Sequence, residues 1–162
     1  MSLKQMFEKS HVALIYGAAG TGKSTMIDHI SNFFDDSEKL YLAHTNPAVD
    51  NLKRKVNTKN SNFKTISKFL HPMSADIQSD ILIIDECSTV NNSDMLKVLE
   101  KATFKLLVLV GDVFQIESIN FGNWFDVSHS FIPQESQFEL TIPYRTENKK
   151  LITLWNKVRN IE

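Results

Sequence analysis

The stretch Val12-Ala-Leu-Ile-Tyr-Gly-Ala-Ala-Gly-Thr-Gly-Lys-Ser-Thr25 decides how the rest of the chain is read. Residues 12–16 are apolar, with β-branched and aromatic side chains among them, and predict a short buried strand. Gly17-Ala-Ala-Gly-Thr-Gly-Lys-Ser24 then fits G-x-x-x-x-G-K-[ST] at every fixed position. Beyond it, apolar residues at 26, 27, 30, 33 and 34 recur at helical spacing. Strand, glycine loop and helix together form a phosphate cradle: the loop aims backbone N–H groups inward, and the helix N-terminus adds partial positive charge. The expected ligand is a nucleoside triphosphate, held by Gly17, Gly20, Thr21, Gly22, Lys23, Ser24 and Thr25. Lys23 would reach the β- and γ-phosphates, and the Ser24 hydroxyl would hold Mg²⁺. The competing reading, a chance glycine-rich turn, is opposed by both flanks.

Bulk properties set the frame. A chain of 162 residues is one domain of ordinary size, and 42% hydrophobic with 23% charged residues is a globular composition. The formal net charge of −1 gives no overall pull towards polyanions, so any nucleic-acid affinity must come from a local patch. The single cysteine, Cys87, rules out an internal disulfide and suits a reducing compartment, so a cytoplasmic location is expected. The histidines at 11, 29, 44, 71 and 129 show no metal-ligand spacing with it. No apolar run approaches membrane-spanning length and no secretory signal opens the chain, so no membrane partner is expected.

The remaining elements follow in order. Residues 39–44 read as a strand, and Thr45-Asn46-Pro47 as the start of a helix over 47–56, a capping residue followed by a tolerated proline. A short strand is predicted over 63–66 and a small helix over 67–70, broken by His71-Pro72. Residues 80–86 are the clearest strand: four consecutive branched apolar residues imply burial on both faces, as in a central parallel strand. Asn92-Ser93-Asp94 can cap a helix over 95–102, and 105–110 is another buried strand. A strand over 138–141 and a helix over 147–159 complete the pattern, which is that of one α/β domain with a mostly parallel sheet.

Several groups along this frame suit phosphoryl chemistry. Asp85-Glu86 ends a buried strand, where ligands bind in open α/β sheets. Asp85 suits the Mg²⁺ shell and Glu86 suits activation of an attacking water; the alternative is a strand that simply ends in exposed acids. Gln115 in Gly111-Asp-Val-Phe-Gln115 can hydrogen-bond a γ-phosphate or that water, or merely belong to a turn. Arg145 can offset charge on a transferring phosphoryl group, or make an ordinary surface ion pair. Residues 51–71 carry Lys53, Arg54, Lys55, Lys59, Lys64 and Lys68 with no acid, and Phe63 and Phe69 between them. Such a strip suits a single-stranded backbone with bases stacked on aromatic rings, or else a solvated helix face over two core phenylalanines. Cys87 is expected only to pack.

Taken together these segments resemble helicase superfamily 1, especially the first RecA-like domain of its UvrD-like and RecD-like members. The stretch 17–25 resembles motif I, Ala43-His-Thr-Asn-Pro-Ala48 motif Ia, and Thr65-Ile-Ser-Lys-Phe-Leu70 the nucleic-acid motif that follows. Asp85-Glu-Cys-Ser88 resembles motif II, Gly111–Gln115 motif III, and Leu140-Thr-Ile-Pro-Tyr-Arg145 motif IV. The resemblance implies a three-layer RecA-like P-loop NTPase fold, with ATP on Gly20, Gly22 and Lys23 and Mg²⁺ on Ser24 and Asp85. It implies Glu86 as the base, Gln115 as γ-phosphate sensor and Arg145 as a further γ-phosphate contact. Thr45, Asn46 and Ser67 would line a track for single-stranded nucleic acid, DNA in preference to RNA, with Lys53, Lys64 and Phe69 beside it.

Three departures from the family pattern stand out. Motif III continues Ile116-Glu117 where the family has Leu-Pro; Gln5 lies close to the glycine loop for an adenine-reading glutamine; and motifs V and VI, which belong to a second RecA-like domain, are absent. The expected activity is therefore that of the N-terminal motor half of an ATP-dependent helicase or single-strand translocase. The alternatives are a stand-alone nucleotide-dependent switch and, more weakly, a small-molecule kinase. Between Leu70 and the motif II strand the family's duplex-splitting hairpin is also missing, since nine residues reach only about 30 Å when fully extended.

Overall fold

The computed structural model describes residues 11–17, 23–56, 59–74, 77–87, 90–112 and 137–140. In chain order these form β1 (His11–Gly17), α1 (Lys23–Phe33), β2 (Lys39–Ala43), α2 (Asn46–Lys55), β3 (Ser61–Thr65), α3 (Ile66–Leu70), β4 (Ile81–Ile84), α4 (Asn92–Lys101), β5 (Leu106–Asp112) and β6 (Gln137–Leu140). The strands make one six-stranded sheet in the order β3-β2-β4-β5-β1-β6. Every pairing is parallel, so every strand ends at the same edge.

Alternation along the strands builds two cores. Ala13, Ile15, Tyr41, Ala43, Ile81, Ile83, Leu106, Val108 and Val110 face α1 and α2, which contribute Met26, Ile27, Ile30, Val49 and Leu52. Val12, Leu14, Leu40, Leu42, Leu82, Ile84, Leu107 and Leu109 face α3 and α4, which contribute Ile66, Phe69, Met95, Val98 and Leu99. The sheet is therefore covered on both faces in three layers, and the continuous apolar runs of β4 and β5 follow from that. Connections from β1 to β2 to β3 travel one way across the sheet and those from β3 to β4 to β5 travel back. Right-handed crossovers then require α1 and α2 on one face and α3 and α4 on the other, as found.

Expected elements recur with shifted ends, for local reasons. The helix expected over 95–102 starts at Asn92, because the Asn91 side chain accepts from the Asp94 N–H at 2.8 Å. The strand expected over 63–66 covers 61–65; Thr65 caps α3 by accepting from the Lys68 N–H, so Ile66 already belongs to the helix. The strand expected over 80–86 shortens to 81–84, because the acids at both of its ends take other roles. The helix expected over 147–159 and residues 117–136 lie outside the described residues.

At the edge where the strands begin, two side chains hold the turns together. Asp80 accepts from the Glu38 N–H through Oδ2 (3.1 Å) and pairs with Lys105 Nζ through Oδ1 (3.8 Å). Lys39 is buried, and its ammonium donates to the carbonyls of Phe34 (2.8 Å), Ser37 (2.8 Å) and Asp35 (3.4 Å). It thereby caps the C-terminal end of α1, where orphan carbonyls and the negative helix pole favour a cation. Burial lowers its pKa despite the nearby Asp35, Glu38 and Asp36.

After α3, residues 71–74 form a turn, and Gln78 makes an isolated parallel bridge to Thr103. No two-stranded projection occurs among the described residues of 71–79. Among the described residues no helix is long and apolar enough to cross a membrane.

Candidate nucleotide site and nucleic-acid edge

β5 lies between β1 and β4, so the end of β1 and the end of β4 are two strand spacings apart, roughly 10 Å. Gly17 is level with Asp112, and Ile84 is level with Leu109. β1 ends at Gly17 and α1 is described from Lys23, so the described start of α1 opens on the strand-end edge. A strand and a helix on the two sides of residues 18–22 are what the sequence predicts. Lys23, Ser24 and Thr25 occupy the first turn of α1; Gly20, Thr21 and Gly22 lie outside the described residues.

The acidic pair sits at this same edge. The Asp85 N–H donates to the Leu42 carbonyl at 2.9 Å, continuing the β2–β4 ladder one residue past Ile84. Asp85 is thus in phase with Ile81 and Ile83, on the α1 face of the sheet, and is half-buried. Its Oδ1 accepts from the Glu86 N–H at 2.9 Å. Glu86 has φ 51°, in the left-handed region that disfavours a side chain with a Cβ. That turn ends the strand abruptly, leaving Glu86 exposed while Cys87 is fully buried in the α3–α4 core, the packing role expected for it.

The Asp85 carboxylate, at the strand-end edge on the face that α1 covers, is a hard oxygen donor of the kind Mg²⁺ takes. Among the described residues no group of three or more His, Cys, Asp or Glu could hold a metal by itself. Gln115 and Arg145 lie outside the described residues.

The expected nucleic-acid residues divide into separate groups. Thr45 and Asn46 are exposed at the strand-end edge, where Thr45 Oγ1 accepts from the Ala48 N–H and caps α2. Ser67 and Lys68 are exposed in the first turn of α3 at the same edge. Lys64, next to last in β3, is half-buried and its ammonium donates to Ser74 Oγ at 3.2 Å. Lys53 is exposed but belongs to the last turn of α2, about 12 Å along the helix from Thr45 and towards the opposite edge. There Lys59 pairs with Asp35 at 3.0 Å and Asp36 at 3.9 Å, and its hydrogen bond to Asp35 raises its pKa. The basic residues of 51–71 therefore do not form one stripe.

Phe69 requires a correction. Read as a stacking platform, it is instead 1% exposed, packed among Leu40, Leu42, Ile66 and Met95. A base cannot stack on a ring that is so fully covered. Phe63 is likewise occupied, stacked on Tyr41 at 4.8 Å and 8°. Sequence reasoning missed Lys101 and Asp80, whose contacts join elements far apart in the chain and leave no local pattern to read.

Comparison with solved structures places this architecture among helicase folds. One structure of the PRRSV helicase aligns with a TM-score of 0.54 at 16% identity, over 86% of this chain and 31% of that one. A crystal structure of PRRSV nsp10 (helicase) aligns with a TM-score of 0.54 at 14% identity, over 88% of this chain and 39% of that one. An uncharacterized protein of Methanocaldococcus jannaschii is 26% identical over 90% of this chain, which spans 15% of that protein's length. The chain thus corresponds to a minor part of each of these proteins. A family model described as "AAA domain" matches residues 2–160, and the chain belongs to that AAA domain family as a P-loop, nucleotide-binding domain of helicase-like fold.

Proposed function

We propose that this domain is the N-terminal ATPase half of a superfamily 1 helicase or single-strand translocase, of the UvrD-like or RecD-like kind. The observation that carries the proposal is the shared edge. The start of α1 at Lys23, the Asp85–Glu86 pair, the head of α2 and the head of α3 all open on the side where the parallel strands end. A nucleotide and a strand on that edge would be near neighbours.

In this reading Gly17, Gly20, Thr21, Gly22, Lys23 and Thr25 hold the phosphates of ATP, while Ser24 and Asp85 hold Mg²⁺. The metal supplies charge neutralisation on the phosphate oxygens. Glu86, exposed just beyond the strand end, takes a proton from the attacking water, and Gln115 orients that water. Arg145 stabilises charge on the transferring group. Thr45, Asn46 and Ser67 bind a single strand of nucleic acid, with Lys68 and Lys64 supplying positive charge at the same edge. A second RecA-like domain would close over the γ-phosphate from the opposite side.

The test is ATP hydrolysis by the longest natural chain with and without single strands. Stimulation by strands supports the motor; tight nucleotide binding with a rate indifferent to strands favours the nucleotide-dependent switch.

A further inference from the structure

α3 is too short to hold itself together. A helix of five residues has too few internal hydrogen bonds to offset the entropy of ordering it, so its position is set by what it touches. Its N-terminal end is fixed by the Thr65 cap, which accepts from the Lys68 N–H at 3.2 Å, and its buried side is Ile66 and Phe69. Its C-terminal end carries orphan carbonyls. One of these, from Lys68, accepts from the His71 N–H at 3.3 Å. Another, from Phe69, accepts from Lys101 Nζ at 2.6 Å.

Lys101 is the last residue of α4, so its ammonium stands at the C-terminal ends of two helices at once. Both negative helix poles favour a cation there. The same ammonium lies 5.1 Å from the centroid of the Phe69 ring. Phe69, Ile66, Met95, Val98, Leu99 and Cys87 pack in one core. α4 is the next helix in the chain after the Asp85–Glu86 turn, and between the two the Val90 N–H donates to the Cys87 carbonyl at 3.1 Å, with both Cys87 and Val90 buried in that same core.

We infer that Lys101 is a positioning residue: by locking α3 onto α4 it places Ser67 and Lys68 for the strand and ties their position to the helix that follows the Asp85–Glu86 turn in the chain. This rests on the functional reading above, and it adds a specific residue and route to it. Lys101 touches neither nucleotide nor strand; it acts through the Phe69 carbonyl and ring.

The test uses the longest natural chain and compares the unaltered protein with Lys101→Met, Lys101→Arg and Asp80→Ala. Lys101→Met keeps the aliphatic stem but removes the donor and the charge. Asp80→Ala removes the ties to Glu38 and Lys105 at the other edge and so reports a general loss of stability. Strand-free ATP turnover, the strand concentration giving half-maximal stimulation, and the melting temperature are measured for each. The expected result is strand-free turnover within about twofold for Lys101→Met, a roughly tenfold rise in the half-stimulating strand concentration, recovery in Lys101→Arg, and no such rise in Asp80→Ala. The inference is overturned if Lys101→Met leaves strand dependence unchanged, if it lowers both rates together, or if Asp80→Ala reproduces its effect. If the unaltered protein itself shows no response to strands, the functional reading fails, and this inference falls with it.

Discussion

The N–H of Asp85 donates to the carbonyl of Leu42 at 2.9 Å, so β4 stays laddered to β2 for one residue beyond Ile84 and the chain turns only at Glu86. The ladder fixes which face of the sheet Asp85 lies on, and the turn separates the two carboxylates. One adjacent pair of acids thereby acquires two environments, half-buried on the α1 face for Asp85 and exposed for Glu86.

The left-handed turn has a cost that can be measured. Glu86→Gly relieves the steric conflict at φ 51°, which is of the order of 1–2 kcal/mol, against a somewhat smaller entropic cost of glycine in the unfolded chain. We expect the variant to be as stable as the parent or more stable by up to about 1 kcal/mol in denaturant titration, yet inactive in ATP hydrolysis. A loss of stability beyond 1 kcal/mol would show that the turn is held by the Glu86 side chain rather than tolerated in spite of it.

Phe69→Ala tests the corrected role of this ring. Removing a fully buried phenylalanine should cost about 3–5 kcal/mol of stability, read as a lower denaturant midpoint at unchanged slope. A stacking platform would behave in the opposite way, losing strand affinity with the midpoint intact.

The division of the basic residues predicts unequal salt effects. Lys68→Ala, at the strand-end edge, should reduce the slope of log K against log salt for single-strand binding by about 0.7. Lys53→Ala, about 12 Å along α2 towards the opposite edge, should change it by less than half as much. Equal effects would mean that the strand runs along α2 rather than across the strand ends.

Alkaline titration should expose Tyr41. Burial pushes its hydroxyl up to about 12 from 10.0, the neighbouring Ser31 and Ser61 pulling weakly the other way. Between those pH values the unfolded chain releases the proton and the folded one keeps it. Stability therefore falls as pH rises from 10 towards 12, by roughly 2–3 kcal/mol in all. Lys39 has the opposite sign: with its folded pKa lowered, the unfolded chain binds the proton more tightly, and stability rises with pH until about 10.5. Melting curves of Tyr41→Phe should lack the loss above pH 10; if the loss persists, another group is responsible.

Much of this fold can be read from the chain. Four branched apolar residues at 81–84 can only be a strand buried on both faces, and Thr45-Asn46-Pro47 caps α2 as written. The placement of β5 between β1 and β4 cannot be read, because strand order depends on crossovers and not on local pattern. Nor can the burial of Phe69, since five residues are too few to show a helical period. The basic strip misleads for a related reason: residues adjacent in sequence follow α2 from one edge of the sheet to the other, so Lys59 ends beside Asp35. Glu86 gives no sign of its φ, because the residue normally found there would be glycine or asparagine.

Whether Glu86 is the base can be read from single-turnover hydrolysis of ATP by the longest natural chain, unaltered and as Glu86→Gln, each with saturating single-stranded DNA. Both proteins should bind Mg-ATP with similar affinity, strands should accelerate the unaltered protein, and Glu86→Gln should lose at least about 100-fold in rate because the amide cannot accept the water's proton. Equal rates for the two proteins would contradict that role for Glu86.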